Sequence, residues 1–254
     1  MSRLILASAS PRRRELLAQA GFVFEVRAAH IPEEPRAGED PIAYVTRLAR
    51  EKAEAVFREQ GMRSEVPKSE GPGAPSEESV VESNLEHPSP VPKGEGPGAP
   101  PERENEKTRD RGTKGTRDQG NEGPGDPLLG GIVVLGADTT VTLDRHILEK
   151  PRDAEDAKRM LRMLSGRTHR VITGVAVVSE DRTEVAAEVT AVRFLTLSEE
   201  EIAAYVASGE PMDKAGAYGI QGLAAKWIPR IEGCYFNVVG LPLALVGQML
   251  KDRE

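Results

Sequence analysis

Apolar and polar residues alternate in blocks along this chain, and the blocks read as strands and helices in turn. Leu4-Ile5-Leu6-Ala7 is a short continuous apolar run, the pattern of a buried strand. Ser10 and Pro11 then stand where a helix begins, Ser10 as the cap and Pro11 at the first helical position, and Gly21 ends that helix. Residues 22–26 predict a second strand with partial alternation. Asp40-Pro41 opens a long helix to about Gln60, with an apolar stripe of Ile42, Val45, Ala49, Ala53 and Val56. Residues 132–137 predict a buried strand that ends in Asp138-Thr139-Thr140. Residues 141–143 resume it before a hairpin turn at Asp144-Arg145-His146. A third helix is expected from near Asp153 to Ser165-Gly166, with Met160, Leu161 and Leu164 inward, followed by strands around 170–178 and 184–195. Ser198-Glu199-Glu200-Glu201 is a capping box that opens a fourth helix. Residues 227–231 and 234–239 predict strands joined at Glu232-Gly233, and Pro242 starts a last helix. Strands interleave with helices, yet hairpins occur as well, so the expected fold is α/β with a mixed sheet flanked by helices.

One stretch breaks the pattern. Residues 61–130 contain no Phe, Tyr or Trp, and a short unit recurs there, as in Glu70-Gly71-Pro72-Gly73-Ala74-Pro75. A segment so rich in Pro, Gly and Glu cannot bury enough apolar area to offset its ordering entropy, and it is expected to be a disordered insertion. Setting it aside leaves about 185 of 254 residues, enough for a single α/β domain with one sizeable core. The net charge of −7 argues against a general nucleic-acid-binding surface. No apolar stretch is long enough to span a membrane, and no signal-peptide pattern occurs, so a cytoplasmic location is expected. The single cysteine, Cys234, excludes an intrachain disulfide and reads as a packed thiol beside Tyr235 and Phe236.

The candidate chemistry begins at Arg12-Arg13-Arg14, three cations in the first turn of a helix. A helix N-terminus carries partial positive charge and orphan N–H groups, so arginines there call for an anion, most simply a phosphate chain. A solvated basic turn is the plainer alternative. Lys52 falls inside the apolar stripe of its helix and needs an anionic partner or a route to the rim. Asp138, at the end of a buried strand, lies where open α/β sheets place their ligand crevices. Together Arg12, Arg13, Lys52 and Lys150 supply cations for a polyphosphate. Glu33 and Asp138 supply hard oxygens for Mg²⁺ or Mn²⁺, or a base for water. Hydrolysis of a nucleoside triphosphate needs both sets. No P-loop pattern is present. The glycine-rich segment 214–222 either lets backbone approach a base, with Gln221 offering an amide to its edge, or is a plain irregular loop. His30 and His169 have no partner at metal-ligand spacing and read as surface or structural groups. Ser8 and Ser10 lack a His–Asp companion pattern, which favours phosphate hydrogen bonding or capping over nucleophilic attack.

Ala7-Ser8-Ala9-Ser10-Pro11-Arg12-Arg13 with Leu16-Leu17 resembles the N-terminal signature of the Maf nucleotide pyrophosphatases. The likeness continues in Arg50-Glu51-Lys52-Ala53, Gly136-Ala137-Asp138-Thr139, Glu149-Lys150-Pro151, Leu164-Ser165-Gly166 with Thr168-His169, and Asp213 through Gly222. The resemblance implies an ITPase-like fold with a twisted mixed sheet. It also implies hydrolysis of nucleoside triphosphates to the monophosphate and pyrophosphate with a divalent metal. Asp138 matches the family's proton acceptor, while Arg12, Thr139 and Gln221 match its substrate-specificity positions. The Gly-Ile-Gln-Gly segment resembles the branch acting on dTTP and UTP rather than the one that prefers 7-methyl-GTP. A homodimer is implied too, and a nucleotide-sensing regulator of cell division is the reading from another class. The long insertion departs from the family's usual short link.

Overall fold

Twelve residues of unbroken extended backbone, β3 (Ile132–Leu143), form the spine of the sheet. The computed structural model describes residues 2–64, 131–144 and 146–251. The first part of β3 runs parallel to β1 (Arg3–Ala7), from Arg3 beside Ile132 to Ala7 beside Gly136, and β1 carries β2 (Glu25–Val26) as a parallel edge. β1 then stops while β3 continues, pairing antiparallel with β4 (His146–Leu148) at residues 141–143. Between these two neighbours, residues 137–140 have no strand partner on that side. On the other side β3 pairs antiparallel with β5 (Thr168–Val178), followed by β6 (Thr183–Arg193) and β7 (Arg230–Glu232). The seven strands lie in the order β2-β1-β3-β5-β6-β7, with β4 off that path beside β3. This is the mixed α/β sheet that the sequence predicts.

Alternation along β3 assigns its residues to two faces. Val134, with Ile5 and Ala176 from the flanking strands, packs against Ala49, Ala53 and Val56 of α2 (Pro41–Ser64). Leu135 and Ala137 face the other way, onto Leu16 and Leu17 of α1 (Pro11–Gln19) and Val246 and Met249 of α6 (Leu243–Lys251). Farther along that second face, Val141 and Leu143 meet α3 (Ala154–Leu164) and α4 (Glu199–Ala207) through Leu161, Leu164 and Ile202. Each such buried Val, Leu, Ile or Met side chain contributes about 1.5–3 kcal/mol relative to exposure. The helix starts follow their sequence signals. Asp153 accepts from the Asp156 N–H at 2.8 Å, Asp40 from the Ile42 N–H at 2.9 Å, and Ser198 with Glu201 forms both bonds of the capping box. Among the described residues no helix is long and apolar enough to cross a membrane.

Several elements differ from expectation. The second strand is only Glu25–Val26, because Phe22 and Phe24 turn onto the α1–α6 core while Val23 is left exposed. β3 does not break at Asp138, so that carboxylate sits inside a strand, two residues beyond the end of its parallel pairing. Residues Tyr235–Val239 form a short helix, α5, although their β-branched and aromatic composition reads as a strand. Tertiary bonds override that preference: the buried Asn237 amide donates to the Val171 carbonyl at 3.0 Å and to the Thr190 hydroxyl at 2.9 Å. Ser10 occupies the N-cap position of α1, but its side chain makes no capping bond. Ile42 is exposed rather than part of the α2 stripe. The chain divides into Met1–Val66 with Asp126–Glu254, and Pro67–Gly125. The second unit lies outside the described residues. So does the expected disordered insertion except for residues 61–64, which complete α2.

Candidate active site

Where β1 ends and β3 runs on, the sheet opens into a cleft of about 760 Å³. Along β3 it is lined by residues 138–140, on the stretch that has no strand partner on that side. The turn after β1 brings Ser8 and the arginines to one wall, and α2 brings Lys52 to another. The Lys52 ammonium, on a residue only 7% exposed, stands 2.7 Å from the Glu33 carboxylate and 2.7 Å from that of Asp138. A buried cation with two carboxylates is the partner its place in an apolar stripe demands. The neighbouring Glu34 contributes only its carbonyl, which accepts from Arg47 at 3.1 Å.

The two carboxylates are driven apart electrostatically. Burial pushes the Asp138 carboxyl above its ordinary value, and the nearby Lys52 and Arg13 charges do not fully reverse that. Burial also pushes Glu33 up, but the Lys52 hydrogen bond with the Lys52, Lys150 and Arg13 charges outweighs it and holds that carboxyl low. Such a divergence is the usual mark of two acids given different tasks.

The three arginines have three fates. Arg13 is committed inward, donating to the Gly240 carbonyl at 2.8 Å, the Ala137 carbonyl at 2.9 Å, the Thr139 hydroxyl at 3.0 Å and the Ser8 hydroxyl at 3.3 Å. With four of its five N–H groups taken, it ties β1, β3 and the end of α5 together and has little left for a phosphate chain. Arg12 reaches across the mouth of the cleft to Asp213 at 2.9 Å. Arg14 is exposed. The missing anion of the basic turn is thus met in part by a carboxylate and two carbonyls of the chain itself.

Thr139 borders the cleft, and its hydroxyl is shared with Thr173 at 2.9 Å as well as with Arg13. Lys150 is exposed at the rim, and Gln221 is exposed on a turn that lines the opposite side. Every site residue named from the sequence therefore borders this one cleft. His169 is buried, its Nε2 2.7 Å from the Tyr218 hydroxyl, as expected of a structural group, and His30 is exposed.

The structure adds residues that the sequence reading passed over. Tyr44 is 2% exposed, and its hydroxyl donates to the Glu149 carboxylate and lies 3.0 Å from the Glu33 carbonyl. Burial first, then the bond to Glu149, raises that hydroxyl above its ordinary value. Tyr44-x3-Leu48-x3-Lys52 is an i, i+4, i+8 series, so its place beside Lys52 was legible in the spacing. Tyr205 and Glu210 had no such signal, since they meet the glycine-rich segment only in the tertiary structure. Among the described residues no group of three or more metal-ligating side chains is gathered. Glu33 and Asp138 are two hard oxygen donors converging on one cation, and Mg²⁺ commonly takes one or two carboxylates and fills its remaining positions with water and phosphate oxygens.

A mixed α/β sheet with a cation-and-carboxylate cleft at its parallel end is the architecture of an α/β enzyme. The chain belongs to the Maf family, matching the Maf-like proteins over residues 3–253. It is 42% identical over 248 residues to the dTTP/UTP pyrophosphatase of Koribacter versatilis, covering 98% of this chain and 93% of that one. It is 40% identical over 250 residues to the dTTP/UTP pyrophosphatase of Vibrio cholerae, with 98% and 97% covered. The protein of the same name from Chromobacterium violaceum is 42% identical over 252 residues, with 99% and 94% covered.

Proposed function

We propose that this chain hydrolyses dTTP and UTP to the monophosphate and pyrophosphate with Mg²⁺ or Mn²⁺, removing pyrimidine triphosphates, modified ones included, from the cytoplasmic pool. The observation that carries this reading is the Lys52 ammonium held 2.7 Å from both Glu33 and Asp138 in a cleft bordered by Arg12 and Lys150. The relatives named dTTP/UTP pyrophosphatase support the choice of substrate.

Glu33 and Asp138 would hold the divalent ion, which would neutralise charge on the phosphate oxygens. Lys52 keeps the two carboxylates together and adds a positive charge beside the reacting phosphate. Arg12, released from Asp213, and Lys150 bind the phosphate chain, and Ser8 adds a hydroxyl. Asp138 takes a proton from the water that attacks the α-phosphorus. As the new P–O bond forms, the bond to the α–β bridging oxygen breaks and pyrophosphate leaves with that electron pair. Arg13 acts from beneath, fixing Thr139 and Ser8, while Thr139 and Gln221 select the base.

Product analysis with dTTP, UTP, CTP and 7-methyl-GTP, with and without Mg²⁺ or Mn²⁺, tests the reading. Monophosphate and pyrophosphate from dTTP and UTP, dependent on the ion, are expected. Diphosphate and phosphate would overturn the reaction, and a several-hundred-fold preference for 7-methyl-GTP would overturn the substrate. Tight nucleotide binding with negligible turnover would make the chain a sensor instead.

A further inference from the structure

Gln221 sits on a turn whose backbone is held at both ends by a pair of side chains outside the turn. The Gly222 N–H donates to the Gly219 carbonyl at 3.1 Å, closing the four-residue turn 219–222. On the near side the Gly219 N–H donates to the Tyr205 hydroxyl at 3.2 Å. On the far side the Leu223 N–H donates to Glu210 Oε2 at 3.0 Å. The two holders are joined, because the Tyr205 hydroxyl donates to Glu210 Oε1 at 2.9 Å. One hydroxyl and one carboxylate thus close a ring of bonds around the segment that presents Gln221.

The elements behind the pair are packed and hydrogen-bonded. Tyr205 comes from α4, is 3% exposed and packs edge-on against Trp227 at 5.1 Å between ring centroids. Glu210 stands at the start of the 3-10 turn Glu210–Asp213, where the Lys214 ammonium donates to its carbonyl at 2.6 Å. The turn leaves room for them by having no side chain at its two ends. A Cβ on Gly222 would stand 2.0 Å from Glu210 Oε1, and one on Gly219 would stand 2.7 Å from Lys214 Cε. The glycines are therefore where the carboxylate and the lysine stem lie, and not only a source of flexibility.

We propose that Tyr205 and Glu210 are positioning residues for base selection, holding the Gly219–Gly222 turn so that Gln221 meets the pyrimidine edge in one orientation. An amide distinguishes a keto from an amino pyrimidine only if its donor and acceptor ends are fixed, since a freely rotating amide satisfies either pattern. The inference rests on the base-reading role of Gln221 proposed above and on no step of the hydrolysis.

Two readouts that need no turnover test it. Amide hydrogen exchange at Gly219 and Leu223 should rise about tenfold in Tyr205→Phe, because both N–H groups lose a fixed partner. Affinity for UMP over CMP should fall about five- to tenfold in the same variant, the scale of coupling within one hydrogen-bonded network. Gly222→Ala, which displaces Glu210 without altering either holder, should reproduce both changes. In a Gln221→Ala background, Tyr205→Phe should change the UMP-to-CMP ratio no further, whereas a general loosening of the fold would still add its effect. Unmoved exchange, unchanged base preference, additive effects in the double variant, or a natural chain that binds UMP and CMP alike would each overturn the proposal. Failure of the natural chain to release pyrophosphate would count against the proposed reaction alone.

Discussion

Gly136 lies so close beneath Ala49 that a Cβ on it would stand 2.1 Å from the Ala49 carbonyl oxygen. Gly174, the cross-strand partner of Asp138, is in the same position under α2: its Cβ would stand 2.4 Å from the Val45 carbonyl. The helix therefore rests on bare sheet backbone at two points, and this sets the height at which Lys52 meets Asp138. Gly136→Ala should lift α2, costing about 1–3 kcal/mol in stability and lowering turnover with it. Urea midpoints and pyrophosphate release measure the two effects. A variant natural in both would show that the close approach does not place the lysine.

Asp138→Asn keeps the shape of the side chain and an oxygen for Lys52, but it has no carboxylate to take a proton. Turnover should fall by roughly 10²–10⁴-fold, the usual worth of a positioned general base. Nucleotide affinity measured by calorimetry should stay within several-fold of the natural chain. Near-normal turnover would remove Asp138 from the proposed chemistry.

Arg12 and Arg13 are neighbours with opposite roles, and lysine substitutions should separate them. Arg13→Lys gives up a planar fork for a single ammonium, leaving several of the Ser8, Ala137, Thr139 and Gly240 acceptors unpaired. About 2–4 kcal/mol of stability should be lost, seen as a lower urea midpoint. Arg12→Lys changes a partly exposed side chain whose one carboxylate partner, Asp213, is itself exposed. Its midpoint should hardly move while KM for the triphosphate rises. The reverse pattern would return Arg13 to the phosphate chain.

These contrasts mark what the sequence could and could not reveal. Local signals carried the helix starts, because Asp40, Asp153 and Ser198 act on backbone N–H groups two or three residues away. Lys52 was legible because a cation inside an apolar stripe is a conflict that an anionic partner or a route to the rim must resolve, and Asp138 is the partner that resolves it. Residues 235–239 misled because their helical form depends on Asn237 reaching β5 and β6, bonds between residues more than forty apart in sequence. The commitment of Arg13 was hidden for the same reason: two of its four acceptors are carbonyls, which every residue has and no composition marks, and three of the four lie more than a hundred residues away. Placement of Glu33 rather than Glu34 beside Lys52 likewise depends on how the loop before α2 docks.

His169 offers a test of the core beside the cleft. Its ring is 1% exposed, packed edge-on against Phe194 and Tyr218, and burial lowers its imidazole to about 4. The unfolded chain takes up that proton near its ordinary value of about 6.5, so between these values the unfolded state binds more protons than the folded one. Stability must then rise with pH across this window, being reduced as pH falls from about 6.5 towards 4, by on the order of 2–3 kcal/mol. His169→Phe removes the group while keeping an aromatic ring among its neighbours. It also leaves the Tyr218 hydroxyl without its partner, so the variant should be less stable near neutral pH. The difference in urea midpoint between natural chain and variant should therefore shrink as the pH is lowered from 7 to 4. A difference constant across that range would mean that His169 is protonated in the folded core or has a solvated route, contrary to its burial.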